Sequence, residues 1–296
     1  MPELPEVQTI ISDLNKKIKG DTITDFWSDW PKAIKGKTLE AFTKEIKGRK
    51  ILGARRIGKN IFIDLSGEKT LYIHLKMTGH LLVKSKIKNQ KSKFFADKVN
   101  SYIHHIWHLG KNKTMEFSDV RKFAKIVLDD TEKINSLPEI KKLGVDAMNH
   151  QFTLKKFQEI LENPHPSPLP KRARGISSRP IGLVLMEQEL ISGIGNIYRS
   201  EILFKAGIMP TRHIKDLSDK EIKKIYQAIK KVLEQAIKLR GTSDSDYRDT
   251  AGAPGNFQKV MKVYRQAGKK CPKCDTIIKR STLGQRSVFF CAKCQK

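Results

Sequence analysis

Apolar residues open the chain at helical intervals. Val7, Ile10, Ile11, Leu14 and Ile18 recur three and four apart, and Gly20 stands where such a helix would end. The spacing predicts one amphipathic helix whose buried stripe fixes the chain end against a core. Further on the period shortens to two. Ile61, Ile63 and Leu65 precede Ser66-Gly67, and Leu71, Ile73 and Leu75 follow it, the pattern of a β-hairpin. A second hairpin is expected from Ile103 to Phe117 around Gly110-Lys111-Asn112. The first half therefore reads as a mainly β domain carrying one helix, with Lys84 to Lys93 as a basic loop.

From about Leu137 the pattern turns helical. Thr153 is a candidate cap for a short helix holding Phe157, Ile160 and Leu161. Pro164 to Pro180, with Lys171, Arg172 and Arg174, reads as an exposed basic loop. Leu183 to Leu190 is expected to be helical, Ser192-Gly193-Ile194-Gly195 a tight turn, and Asn196 to Ala206 a helix ended by Gly207. Ser218-Asp219-Lys220-Glu221 is a capping box for a long helix running through Ile222, Ile225, Ile229, Leu233 and Ile237 to Gly241. A polar loop, Thr242 to Asn256, follows. These divisions give an expected organisation of 1–136, 137–258 and 259–296.

Charge narrows the partner. Fifty-eight Lys and Arg against 31 Asp and Glu give +27, the footprint of a phosphate-rich surface. The lysines are spread along the chain instead of lining one amphipathic helix, which favours nucleic acid over an anionic membrane. An acidic, proline-bearing N-terminus is not a signal peptide, and no apolar run approaches the roughly 20 residues of a membrane span. A cytoplasmic protein is expected.

All four cysteines fall at Cys271-Pro272-Lys273-Cys274 and Cys291-Ala292-Lys293-Cys294. Two C-x-x-C knuckles flanking a hairpin-length spacer suit four thiolates converging on zinc, and a site filled by protein is closed, hence structural. Ser192 to Asn196 ahead of a helix offers backbone N–H groups and a positive dipole end to a phosphate, although a plain helix-helix turn has the same pattern. His104, His105 and His108 alternate across a predicted strand, so they are not expected to share a metal. Pro2, once Met1 is removed, is a secondary amine beside the carboxylate of Glu3, and such an amine makes a cationic iminium with an aldehyde. Taken alone, Pro-Glu-x-Pro-Glu is also what opens an ordinary helix.

Six motifs in order, end to end, change that balance. Pro2-Glu3-Leu4-Pro5-Glu6, Arg55-Arg56-x-Gly58-Lys59, His74-Leu75-Lys76-Met77, Asp119-Val120-Arg121-Lys122-Phe123, Gly193-Ile194-Gly195-Asn196-Ile197-Tyr198 and the cysteine hairpin together resemble the bacterial formamidopyrimidine-DNA glycosylases. The resemblance implies an α+β chain: an N-terminal β-sandwich domain with an N-terminal helix, then a helical domain with a helix-two-turns-helix element and a zinc-finger β-hairpin. It implies excision of oxidised purines, chiefly 8-oxoguanine and formamidopyrimidines, from damaged double-stranded DNA by a monomer, followed by β,δ-elimination. By the same resemblance Pro2 is the nucleophile and Glu3 the acid and base at the sugar. Lys59 donates a proton in β-elimination, and Arg286 binds phosphate for the δ step.

Met77, Arg121 and Phe123 match the family's wedge, which fills the space of a flipped base, pairs with the orphaned cytosine and opens the neighbouring step. Glu6, His74, His104, Asn196 and Tyr264 match DNA-binding positions, and the Thr242 to Tyr247 loop resembles the one that folds over the extruded base. One structural zinc on Cys271, Cys274, Cys291 and Cys294 is the implied cofactor. The sequence departs from the family pattern at Thr78, Ser245 and Gly182, where glutamate, arginine and lysine are common, and Arg172, Arg174 or Arg179 is the expected replacement for the lysine. Two rival readings are an endonuclease VIII-like glycosylase for oxidised pyrimidines and a non-catalytic zinc-hairpin DNA-binding protein.

Overall fold

Prolines at Pro2 and Pro5 set the entry to the first helix, α1 (Leu4–Lys17), because proline's fixed φ suits the first turn and its missing N–H would be unpaired there anyway. Glu3 is the N-cap and Glu6, three residues on, reaches back to accept the Glu3 N–H at 2.7 Å, while Lys16 and Lys17 sit at the negative end of the dipole. Val7, Ile10 and Leu14 are fully buried, as their spacing predicts. The computed structural model describes residues 1–85, 93–110, 112–162, 176–244 and 246–296. Residues 86–92 and 163–175, which make up most of the two expected basic loops and include Arg172 and Arg174, lie outside the described residues, as does Ser245.

The chain forms two units, residues 1–141 with 236–258, and residues 142–235 with 259–296. In the first, eight strands make two antiparallel sheets. One has the order β1 (Ile23–Ser28), β6 (Ile103–Leu109), β7 (Lys113–Ser118), β5 (His80–Ser85); the other β2 (Ile51–Ile57), β3 (Asn60–Leu65), β4 (Lys69–His74), β8 (Lys125–Asp130). Both predicted hairpins are present, as β3–β4 and β6–β7. Their inward residues, Ile61, Ile63, Leu71 and Ile73 from one sheet and Trp107, Met115 and Phe117 from the other, share one core with α1. That is a β-sandwich with its N-terminal helix.

The expectation of a single helix in this half is corrected. A second, α2 (Leu39–Ile46), is capped by Thr38, whose Oγ1 accepts the Ala41 N–H at 3.2 Å, and buries Phe42 and Ile46. Eight residues are too few to declare a 3.6-residue period. Two single turns, α3 (Thr131–Asn135) and α4 (Pro138–Lys141), follow β8. Lys84, expected in a loop, lies within β5 and pairs with Glu116 at 2.7 Å.

The sandwich core holds a titratable group. A register shift between Ile103 and His105 breaks the alternation of β6, so that both His104 and His105 are buried. His105 lies among Phe26, Trp30, Trp107 and Phe117, and neither ring nitrogen has a hydrogen-bond partner among the described residues. Burial, assisted by His104, pushes its pKa down to about 3. The unfolded imidazole takes its proton near 6.5, so stability contributed by the neutral ring is complete above that pH and is lost as pH falls toward 3. This one residue should therefore remove roughly 2 kcal/mol between pH 7 and pH 5. His105→Phe is expected to flatten that acid limb in urea unfolding; an unaltered pH slope would show that the ring is not the cause.

In the second unit a two-stranded parallel pair, β9 (Val145–Asp146) with β10 (Ile191–Ser192), accompanies α5 (Leu154–Glu162), α6 (Ile181–Val184), α7 (Asn196–Ala206) and α8 (Asp219–Lys238). Thr153 and the Ser218–Glu221 box cap α5 and α8 as expected: Thr153 Oγ1 accepts Lys156 N–H at 3.1 Å, and Glu221 Oε2 accepts Ser218 N–H at 2.9 Å. The expected helix from Leu183 to Leu190 is instead one turn of α6 and a series of turns. Gln188 explains the break, since its side chain donates to the carbonyls of Met186 and Ile194 and accepts from the Gly193 N–H. A hairpin, β11 (Lys279–Leu283) and β12 (Arg286–Phe290), closes the chain. No helix among the described residues is long and apolar enough to cross a membrane.

Candidate functional site

Glu6 joins the chain end to a distant loop. One carboxylate oxygen caps Glu3; the other accepts the Thr242 N–H at 2.7 Å. Gly241 has φ +79°, and a Cβ there would stand 2.7 Å from Glu6 Oε1, so only glycine allows this approach. Tyr247 is buried with its hydroxyl 3.5 Å from the Glu6 carbonyl, so Thr242 and Tyr247 both sit against the first turn of α1. Pro2 and Glu3 are buried at the same end.

Lys59 occupies the turn between β2 and β3, beside Gly58 at φ +58°. The β2 strand is fastened along α1: the Asn15 amide exchanges hydrogen bonds with both backbone groups of Ala54 (2.7 and 2.8 Å), and Gln8 Oε1 accepts Arg56 Nε at 2.7 Å. Going from Ala54 to Arg56 moves from Asn15 back to Gln8, so the turn that follows points toward the head of the helix. Lys59 is itself buried. His74 ends β4 at the same sheet end, one residue past the Ile61 and Ile73 pair. Desolvation, then the charges of Lys76 and Lys59, push its pKa down to about 4, and its Nδ1 accepts the Lys76 N–H at 3.0 Å. His74 is thus neutral at physiological pH and presents Nε2–H, a donor without a charge.

Met77 and Phe123 are 44% and 50% exposed, high for large apolar side chains. Arg121 joins them, its NH1 3.2 Å from Met77 Sδ and its guanidinium carbon 4.6 Å from the Phe123 ring centroid. Fully buried Asp119 shapes their loop, accepting N–H groups from Arg121, Phe123 and Ala124 and the hydroxyl of Thr78. Thr78 is therefore a support for this loop, and so is Asp119, which the sequence motif contains but to which it assigns no role of its own. An aspartate ahead of positive-φ Lys122 was its available signal. His104 binds Asp29 at 2.9 Å through Nδ1.

Around α7 the second unit gathers polar groups. Gly193 (φ +106°) and Gly195 lead into Asn196 at the helix start. Arg199, fully buried, donates to the carbonyls of Gly182 (3.2 Å) and Ser287 (3.0 Å) and to Asn196 Oδ1. With its oxygen so engaged, Asn196 is left with its NH₂ as the group able to serve a further partner. Glu201, also on α7, accepts the N–H groups of Lys262, Val263 and Tyr264, each at 2.9 Å. Burial raises its pKa against the pull of those three donors. Neither Arg199 nor Glu201 was legible as a support, because both look like solvated helix charges. Arg286 is exposed directly after a two-residue turn, Gly284-Gln285, in which both residues have positive φ. Arg179, expected as a substitute cation, is paired with Glu187 at 2.5 Å. At Gly182 a Cβ would meet the Pro210 carbonyl oxygen at 2.6 Å, so close backbone packing excludes any side chain there.

The Cys271, Cys274, Cys291 and Cys294 sulfurs lie within 4.8 Å of one another, and three of the separations are 3.3, 3.4 and 3.8 Å. Disulfides require about 2.05 Å, whereas Zn–S bonds of about 2.3 Å in a tetrahedron place sulfurs about 3.8 Å apart. These thiolates therefore fit one structural zinc ion, and among the described residues no other cluster of three or more His, Cys, Asp or Glu side chains could hold a metal.

Residues 1–126 match the formamidopyrimidine-DNA glycosylase N-terminal domain family, residues 143–247 its H2TH domain family, and residues 268–296 the zinc finger found in FPG and IleRS. The formamidopyrimidine-DNA glycosylase of Carboxydothermus hydrogenoformans is 36% identical over all of both chains, and that of Listeria monocytogenes 33%. The chain belongs to the formamidopyrimidine-DNA glycosylase family. Solved structures agree: the Lactococcus lactis Fpg bound to abasic-site DNA superimposes with a TM-score of 0.83 at 28% identity, covering 99% of each chain. A Lactococcus lactis Fpg mutant with Fapy-dG DNA gives 0.83, with both chains fully covered. The H2TH match spans α5 to α8, and the zinc-finger match contains the cysteine hairpin.

Proposed function

We propose that this protein is a bifunctional DNA glycosylase and abasic-site lyase of base excision repair, acting as a cytoplasmic monomer on oxidised purines in double-stranded DNA. The observation that carries this reading is the placement of Pro2 and Glu3, buried at the head of α1 and joined through Glu6 to the loop from Thr242 to Tyr247. A base inside the stack is out of reach of such a nitrogen, so the nucleotide is extruded, and exposed Met77, Arg121 and Phe123 fill and hold the gap.

Pro2 nitrogen, freed of Met1, bonds to C1′ as the bond from C1′ to the base breaks and the base leaves with a proton. The amine nitrogen gives up its proton, the sugar ring opens as the C1′–O4′ bond breaks and O4′ is protonated, and the iminium so formed is an electron sink. Glu3 moves protons at the sugar; loss of a C2′ proton expels the 3′-phosphate, and a second elimination expels the 5′-phosphate. Lys59 supplies a proton in the first elimination, and Arg286 offers its charge to a leaving phosphate, where developing negative charge is best stabilised. His74, His104, Asn196 and Tyr264 hold backbone phosphates. His74 does so as a neutral donor, and therefore adds little to the salt dependence of binding.

Borohydride trapping tests the reading. The mature protein should become covalently linked to duplex DNA with 8-oxoguanine opposite cytosine, with Pro2 as the modified residue, and should excise that lesion faster than thymine glycol. A reversed ranking would place it with the pyrimidine-specific branch; no adduct from a correctly processed chain would leave a zinc-hairpin DNA binder.

A further inference from the structure

Helix α8 ends in a Schellman turn: Gly241 N–H bonds the Ala236 carbonyl at 2.8 Å and Arg240 N–H that of Ile237 at 2.9 Å. The left-handed residue of that turn, where glycine is the low-energy choice, is Arg240 at φ +61°. Its side chain accounts for the exception. One guanidinium spans two buried carboxylates, Asp13 of α1 (2.5 and 3.2 Å) and Asp249 (2.7 and 2.9 Å), which are only 6% and 3% exposed. Asp13 also accepts the Thr250 hydroxyl at 2.8 Å, Lys17 donates to that hydroxyl at 2.7 Å, and the Thr250 carbonyl receives the Val83 N–H of β5 at 2.8 Å. Arg240 and Asp249 are the two ends of the segment that contains Thr242 and Tyr247.

We infer that Arg240 is a positioning residue for base recognition: it closes the loop at its base and pins both ends to the helix that begins with Pro2 and Glu3. Without the guanidinium, Asp13 and Asp249 face each other as like charges out of water, and the loop base opens. The inference rests on the glycosylase reading. Only steps that require the loop to hold an extruded base depend on the clamp; elimination at a site that has already lost its base does not.

Arg240→Gly is the informative variant, because glycine keeps the left-handed turn and removes only the clamp. Single-turnover excision of 8-oxoguanine should fall about 10- to 100-fold, the scale of an ångström-level misplacement, while cleavage of a preformed abasic site should stay within about twofold. Arg240→Lys, with a charge but no fork, should recover part of the excision rate. Excision at the wild-type rate in Arg240→Gly would overturn the inference, and so would an equal loss of both activities, which marks a merely structural residue. If the unaltered protein neither cleaves abasic DNA nor is trapped by borohydride, the glycosylase reading itself falls, and this inference with it.

Discussion

Protein that retains Met1 is expected to cleave abasic DNA about a thousandfold or more slowly than protein beginning at Pro2, since a correctly held nucleophile supplies a large share of such rate enhancements. The cause is one bond. With Met1 in place the Pro2 nitrogen is an amide whose lone pair is delocalised, so it cannot add to C1′. Removal of Met1, which is half-exposed, leaves a secondary amine whose lone pair is localised on nitrogen and free to add to carbon. Affinity for DNA containing an uncleavable abasic analogue should change little, because that nitrogen is not among the proposed phosphate ligands. Intact-mass measurement sorts the two forms, and gel assays on each give the rates. Comparable lyase rates for both would remove Pro2 from the mechanism and direct attention to a lysine, with Lys59 the first to map.

The zinc site was legible from local features alone, because paired C-x-x-C knuckles keep their meaning whatever the fold does. Pro2-Glu3 and the turn at Lys59 are ambiguous alone and took their meaning from six motifs standing in one order along the chain. The two hairpins and α1, α5, α7 and α8 were legible locally, since each carries enough repeats of its period, or a cap of its own, to declare itself. What stayed hidden depends on partners far away in sequence. Gln188 ends a helix by serving backbone groups on both sides, Asp119 shapes the wedge loop through three N–H groups, and Arg199 links α7 to β12. Arg240 looks like a solvated residue at a helix end until Asp13, from the opposite end of the chain, is placed beside it. The return of residues 236–258 to the first unit has no compositional mark either; it follows from that ion cluster and from Glu6.

Removing zinc is expected to abolish high-affinity DNA binding while the first unit stays folded. The metal's share is large: structural zinc contributes about 10–16 kcal/mol in isolated finger peptides, and the hairpin it closes has little else. Strand β11 is almost wholly exposed, and only Val288 and Phe289 of β12 are buried. Without the metal the four thiols no longer hold the two knuckles together, and a two-stranded ribbon of this length is marginal in water. Two of the proposed phosphate ligands then lose their placement together. Arg286 loses its turn, and Asn196 loses one of the contacts that set Arg199 behind it, the bond to the Ser287 carbonyl. The first unit keeps its own core, in which α1 and the two sheets share buried residues. Chelation should therefore lower affinity for abasic-analogue DNA by at least about a hundredfold, or roughly 3 kcal/mol. The β-rich circular dichroism of the sandwich should survive, and stoichiometric zinc should restore binding. Unchanged affinity in metal-free protein would mean that the hairpin holds its shape without the ion, and that the phosphate contacts assigned to it do not depend on the knuckles.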